Sequence, residues 1–189
     1  HRGKKKRGHR HFFSVMKTVF FGSGNFAVPV LEALLREGSV VSLVVTQPDR
    51  RKGRHLLLGH TPVKDMALER RIEVFQPQDV NHPDAVQKLK SQEADLFVVV
   101  SYGKILSREV LGTARLMCVN IHGSVLPKYR GAAPIARALM AGERRTGITF
   151  IKMNEKMDQG DIISMKQIKI EKTDNALTLE KKLSSLAAD

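Results

Sequence analysis

Cysteine is almost missing from this 189-residue chain, with Cys118 alone. A single thiol excludes an intrachain disulfide framework and fits a reducing compartment. Cys118 lies in an apolar run beside Asn120, where a catalytic thiol is conceivable, but a free cysteine is more often an inert buried hydrophobe. No apolar run approaches the length of a membrane span, so no membrane partner is expected. Metal-ligand spacing is lacking too: His55, His60 and His82 stand at no such interval from any Cys or acid, and read as surface residues. Acid is the remaining deficit. Asp and Glu number 19 against 32 Lys and Arg, a net charge of +13. The surplus is uneven, because residues 1–15 hold six Lys or Arg and no acid, leaving +7 for the remainder. A domain of that charge tolerates a polyanion nearby, although charge alone identifies no partner.

What is present suits one soluble domain with a sizeable core, at 42% hydrophobic residues. His1 to Val15 (HRGKKKRGHRHFFSV) has neither helical nor strand period and lacks the apolar stretch of a secretory signal. A nucleic-acid arm and a transit segment are both open readings; the expectation is a disordered leader outside the fold, with Met16 as the natural start. From there Lys17–Phe21 reads as a buried strand, Gly22-Ser23-Gly24-Asn25 as a turn, and Phe26, Val30, Leu31, Leu34 and Leu35 as one face of a helix ending at Gly38. With a second strand at Val40–Val45, this is a βαβ unit. Residues 47–62 read as a loop rich in Arg, Lys and Gly. Further strands are expected at Ile72–Phe75, Asp95–Val100, Leu116–Ile121, Thr146–Met153 and Ile163–Ile170. Helices are expected near 62–70, 82–92, 105–111 and 135–141, and from Ala176. Alternating strands and helices predict an α/β, Rossmann-like, mostly parallel sheet with helices on both faces.

Gly22-Ser23-Gly24-Asn25-Phe26-Ala27 matches the G-x-G-x-x-A of dinucleotide sites, in the right strand-to-helix context. The acid that should end the second strand is not there: Val45-Thr46-Gln47-Pro48 intervenes before Asp49. The plainer reading is a tight glycine turn beside an active site. The stronger constellation lies later. Asn120 and His122 stand two apart at the end of an apolar strand, so they project from one side. Asp158 follows a second apolar run, in a turn that Gly160 is expected to let bend freely. An amide, an imidazole and a carboxylate gathered at strand ends suit acyl transfer. The first two can hold a developing oxyanion, and the carboxylate can orient the imidazole or move a proton.

Asn120-Ile121-His122-Gly123-Ser124-Val125-Leu126-Pro127 with Asp158-Gln159-Gly160-Asp161 resembles the signature of the folate-dependent formyltransferases. Arg130-Gly131-Ala132-Ala133-Pro134-Ile135 and Thr46-Gln47-Pro48-Asp49-Arg50 are most similar to the methionyl-tRNA formyltransferases, and the resemblance runs from about Met16 to the end. It implies a one-carbon transferase taking formyl from 10-formyltetrahydrofolate to the amine of methionyl initiator tRNA. Asn120 and His122 would polarise the formyl carbonyl and Asp158 would orient His122, with no metal and no acyl-enzyme. The folate would lie beside Ser124, Val125, Leu126 and Pro127, and near Val99–Tyr102, a segment that reads equally well as core strand. Arg50, Lys52 and Arg54 would meet the tRNA, although His55-Leu56-Leu57-Leu58 replaces further basic residues common there.

By the same resemblance, residues 16–189 form the catalytic domain and the tRNA-binding C-terminal β-barrel is absent. Leu177, Leu179, Leu183 and Leu186 are still at helical spacing when the sequence stops. A monomer in a bacterial cytoplasm is expected, or an organelle if residues 1–15 are genuine. Two other readings stand: a formyltransferase of the same fold acting on a glycinamide ribonucleotide or an amino sugar, and an inactive remnant that only binds folate or RNA.

Overall fold

A computed structural model of the chain describes residues 16–52 and 57–189. The basic leader and Arg54 lie outside the described residues. Strand β1 (Lys17–Gly22) is buried from Thr18 onward and is an interior strand of a seven-stranded sheet. A 3-10 turn at Asn25–Ala27 leads into helix α1 (Val28–Arg36), where Pro29 occupies the first turn, as a residue without an N–H can. Strand β2 (Val40–Val45) returns parallel to β1, completing the expected βαβ opening. Gly22 is required by crowding: a Cβ there would lie 2.8 Å from Phe20 Cε1 and 2.9 Å from Ala27 Cβ. The glycine motif therefore brings the helix close to the strand, whatever it binds.

The remaining elements follow the predicted order: α2 (Pro62–Glu69), β5 (Val74–Phe75), α3 (Pro83–Lys90), β6 (Leu96–Val100), α4 (Arg108–Leu111), β7 (Met117–His122), α5 (Pro134–Met140), β8 (Arg145–Lys152), β9 (Asp161–Lys169) and α6 (Ala176–Ala188). The numbers β3 and β4 belong to Arg50–Lys52 and Leu57–Gly59, which pair antiparallel as a separate two-stranded sheet. The segment expected to be a loop thus has paired arms. Its base is tied down by Asp49, which accepts from Lys64 Nζ (2.5 Å) and Gln76 Nε2 (2.8 Å).

Strand order is β5-β2-β1-β6-β7-β8-β9. The first five strands are parallel and β7–β8–β9 are antiparallel. Alternation on β1 sends Phe20 to one face, with α1, α2 and α6, and sends Val19 and Phe21 to the other, with α3 and α4. Each such side chain contributes roughly 1.5–3 kcal/mol through burial. No helix among the described residues is long and apolar enough to cross a membrane. The strand order reverses between β1 and β6, the kind of switch point outside which ligand crevices form, and the parallel run ends at β7.

Candidate active site

Strand β7 carries the centre of the site. Asn120 pairs in register with Val99 of β6, and His122 with Thr149 of β8. The two-residue spacing does what strand geometry requires, and both side chains line the same cleft of about 480 Å³. His122 is 7% exposed.

Asp158 reaches them from the segment between β8 and β9. Its Oδ1 accepts from Asn120 Nδ2 at 3.0 Å and its Oδ2 from the Gly131 N–H at 2.7 Å. Oδ2 also stands 3.5 Å from His122 Nδ1, an ion-pair distance rather than a good hydrogen bond. The carboxylate side chain is 10% exposed, so each of these contacts acts largely out of water. Its own backbone is the unusual one, with φ of 50° in the left-handed region. Gly160 was expected to supply the free bend, but it is not among the residues of positive φ. What Gly160 provides is room, because a Cβ there would overlap the Lys152 carbonyl. The physical need is close approach of two strand ends, and Asp158 itself takes the strained turn.

His122 is oriented from its other side. Nε2 lies 3.0 Å from the Tyr129 carbonyl oxygen. A carbonyl only accepts, so Nε2 carries a hydrogen in this arrangement, an assignment made from the bonding pattern. The segment after β7 can do this because Tyr129, Gly131 and Ala133 all have positive φ (59°, 85° and 52°). Alternate residues in the left-handed region let the Tyr129 carbonyl and the Gly131 N–H both serve the site. Arg130 Nε donates to the Asp158 carbonyl at 3.0 Å, and Arg137 Nη1 of α5 donates to the Arg130 carbonyl at 2.7 Å.

The cleft has apolar walls from Val99, Ile105, Leu106, Ile151 and Met153 and is closed at one end by Gly131–Pro134. Tyr102, Gly103 and Lys104 separate it from a second cavity of about 310 Å³, whose lining includes Gln47, Arg50 and Thr61. Gln47 is held by its N–H on Ser23 Oγ (3.1 Å) and its Nε2 on the Tyr102 carbonyl (2.9 Å). The glycine turn therefore braces Gln47, which lines the second cavity. Burial pushes the Tyr102 hydroxyl up and leaves it without a partner among the described residues.

Not every expected residue converges. Ser124 is fully buried, donating to the Lys128 carbonyl (2.6 Å), and Leu126 N–H donates to Thr149 Oγ1 (3.1 Å). None of Ser124, Val125, Leu126 and Pro127 lines the cleft, which is lined instead by the Val99–Tyr102 side and the 153–158 segment. Arg50 is exposed beside the second cavity. Lys52 lies on β3, and Arg54 is outside the described residues. Cys118 is buried and its thiol is pushed up to about 12 by desolvation, which suits the inert reading. Tyr129 and Gly131 were missed as site residues; the glycine and its flanking Arg-Gly-Ala-Ala-Pro stood in the sequence as a hint of left-handed backbone.

Known proteins share this architecture. Residues 16–188 match the family described as formyl transferase. The chain is 46% identical over 175 residues to the methionyl-tRNA formyltransferase of Caldanaerobacter subterraneus subsp. tengcongensis, covering 92% of this chain and 57% of that protein. It is 44% identical over 172 residues to that of Bacillus subtilis, covering 91% and 54%. The chain thus spans about half the length of these relatives. Among solved structures it is similar to phosphoribosylglycinamide formyltransferase from Bacillus halodurans, with a TM-score of 0.75, 26% identity, and 91% of this chain and 89% of that one covered. A formyltetrahydrofolate deformylase from Pseudomonas syringae pv. tomato, at 20% identity and a TM-score of 0.71, covers 92% of this chain and 58% of that one and shares the fold.

Proposed function

This chain belongs to the formyl transferase family, and from that premise we propose that it transfers the formyl group of 10-formyltetrahydrofolate to the amino group of methionyl initiator tRNA. The observation that carries the reading is the meeting of Asn120, His122 and Asp158 at one end of an apolar-walled cleft, with a second cavity across Tyr102–Lys104. The cleft is of the size that buries a drug-sized ligand, and its flat apolar walls suit a pterin. Relatives at 44–46% identity carry the methionyl-tRNA name, whereas the glycinamide ribonucleotide enzyme stands at 26%. That gap favours the tRNA acceptor over the nucleotide one.

In this reading Asn120 spends one amide hydrogen on Asp158 and keeps the other for the formyl oxygen. A donor of that kind, aimed at a developing oxyanion, lowers the barrier by roughly 3–4 kcal/mol. With Nε2 held by the Tyr129 carbonyl, His122 presents Nδ1 between the cleft and Asp158. With a hydrogen, Nδ1 polarises the formyl carbonyl; without one, it takes the attacking amine's proton, directly or through a water, and hands it on to Asp158. Ser124 and Leu126 are the buried pair of the segment after β7, whereas Val125 is half-buried and Pro127 exposed, so a folate contact from Ser124–Pro127 would come from those two side chains and from backbone. The hairpin arms β3 and β4, with Arg50, Lys52 and Arg54, would meet tRNA phosphates. Residues 16–189 make up the catalytic unit of this proposal.

The test is formyl transfer from 10-formyltetrahydrofolate to charged initiator methionyl-tRNA, with glycinamide ribonucleotide as the competing acceptor, His122→Ala as control and a salt titration. Transfer to the tRNA that is lost in the variant and weakened by salt is the expected result. Transfer to the ribonucleotide alone would replace the acceptor. Failure to bind the folate donor would overturn the reading of the cleft.

A further inference from the structure

Glu143 lies just beyond α5, outside the cleft lining, with its N–H on the Ala138 carbonyl at 3.1 Å. Its Oε1 accepts from Lys128 Nζ at 2.8 Å and from the Tyr129 hydroxyl at 2.9 Å. These two bonds, Lys128 first, hold its carboxyl below the usual carboxylate range, so it is charged at neutral pH. The ring of Tyr129 is also covered by the Arg137 guanidinium, 5.5 Å from its centroid. Tyr129 is thus anchored at its hydroxyl and its ring while its carbonyl meets His122.

The backbone gives that anchor a purpose. A non-glycine residue at φ of 59° is strained, and such a residue persists only where its surroundings hold it. If Tyr129 relaxes, its carbonyl rotates away from Nε2, and Asp158 Oδ2, 3.5 Å from Nδ1, is then the acceptor beside the ring and draws the hydrogen to Nδ1. We propose that Glu143 is a positioning residue for His122, acting through Tyr129 to keep the hydrogen on Nε2 and leave Nδ1 facing Asp158 and the cleft. The inference rests on the reading of His122 as part of the acyl-transfer site for its consequence in rate, but not for its structural content.

Two measurements on the full chain separate the parts. Imidazole 15N shifts of His122 report which ring nitrogen carries the hydrogen, without any substrate. The wild type should show hydrogen on Nε2, Glu143→Ala and Tyr129→Phe should both shift it toward Nδ1, and Glu143→Gln, which still accepts from the hydroxyl, should restore the wild-type pattern. In the transfer assay Glu143→Ala should lose on the order of tenfold in kcat, as orienting partners outside the reacting shell do, with KM for both substrates unchanged. Wild-type 15N shifts in a folded Glu143→Ala protein would overturn the proposal, as would a change in KM alone. The predicted tautomers in a protein without formyl transfer would uphold the positioning role and refute the assigned reaction instead.

Discussion

Replacing Asp158 with asparagine separates charge from shape at the centre of this site. Asparagine is nearly isosteric and tolerates the left-handed backbone, so φ of 50° adds little strain. The carboxylate now accepts from Asn120 Nδ2 and from the Gly131 N–H, and neighbours His122 Nδ1. An amide has one oxygen. If it stays on Gly131, its nitrogen confronts the Asn120 nitrogen, and the Asn120 amide turns over to present its own oxygen. That restores the bond, so the stability cost should be modest, about 1 kcal/mol for two charge-assisted bonds becoming neutral ones. The turn also replaces an N–H near the formyl oxygen by a lone pair. Losing one oxyanion donor costs on the order of 10²–10³ in kcat. Asp158→Asn should therefore fold almost normally, with a small drop in urea midpoint, and lose at least about a hundredfold in single-turnover formyl transfer. Asp158→Ala differs: it strands two donors at roughly 1–3 kcal/mol each and leaves an alanine in left-handed backbone. An Asp158→Asn enzyme with near wild-type single-turnover rate would refute the reasoning, because the carboxylate would then neither aim Asn120 nor take a proton.

Gly160→Ala should cost about 1–3 kcal/mol and displace the Asp158 turn, because the new methyl overlaps the Lys152 carbonyl; thermal unfolding beside kcat checks both effects. Cys118 should resist iodoacetamide in the native protein at pH 8 and react after denaturation, since its thiol stays protonated until about pH 12; rapid native labelling with parallel loss of activity would revive a catalytic thiol. Asp49 is held below the usual carboxylate range by Lys64 and then Gln76. A depressed folded value contributes stability above the unfolded value near 3.9 and loses it as pH falls through the folded one. Asp49→Asn should therefore be less stable than wild type at pH 7, with the difference closing below about pH 4 in a urea series.

The opening βαβ unit and the order of the later elements were readable because hydrophobic runs and glycine or proline punctuation coincide there, with observed bounds differing by a few residues. The meeting of Asn120, His122 and Asp158 was readable because strand ends carry polar residues to one edge. Other parts left no periodic trace. The pairing of β3 with β4 joins basic and leucine-rich arms that have no alternation. That Ser124 and Leu126 are tied by bonds to Lys128 and Thr149 was not legible either, because adjacency to His122 in sequence does not say which way the following turn faces. The orientation of His122 by Tyr129 runs through a backbone carbonyl, an atom every residue owns, so no side-chain pattern announces it.

The change from parallel to antiparallel pairing at β7 also sets an order of assembly. β8 and β9 adjoin in sequence and can close with local contacts, whereas β1, β2, β5, β6 and β7 must wait for crossover helices to span the sheet. Asp158 belongs to the fast half, and Asn120 and His122 stand on the last strand of the slow one. Neither half holds a working set of groups by itself. During refolding, secondary structure should therefore return before formyl transfer does, and the regained rate should mark the moment at which the two halves of the sheet lock together.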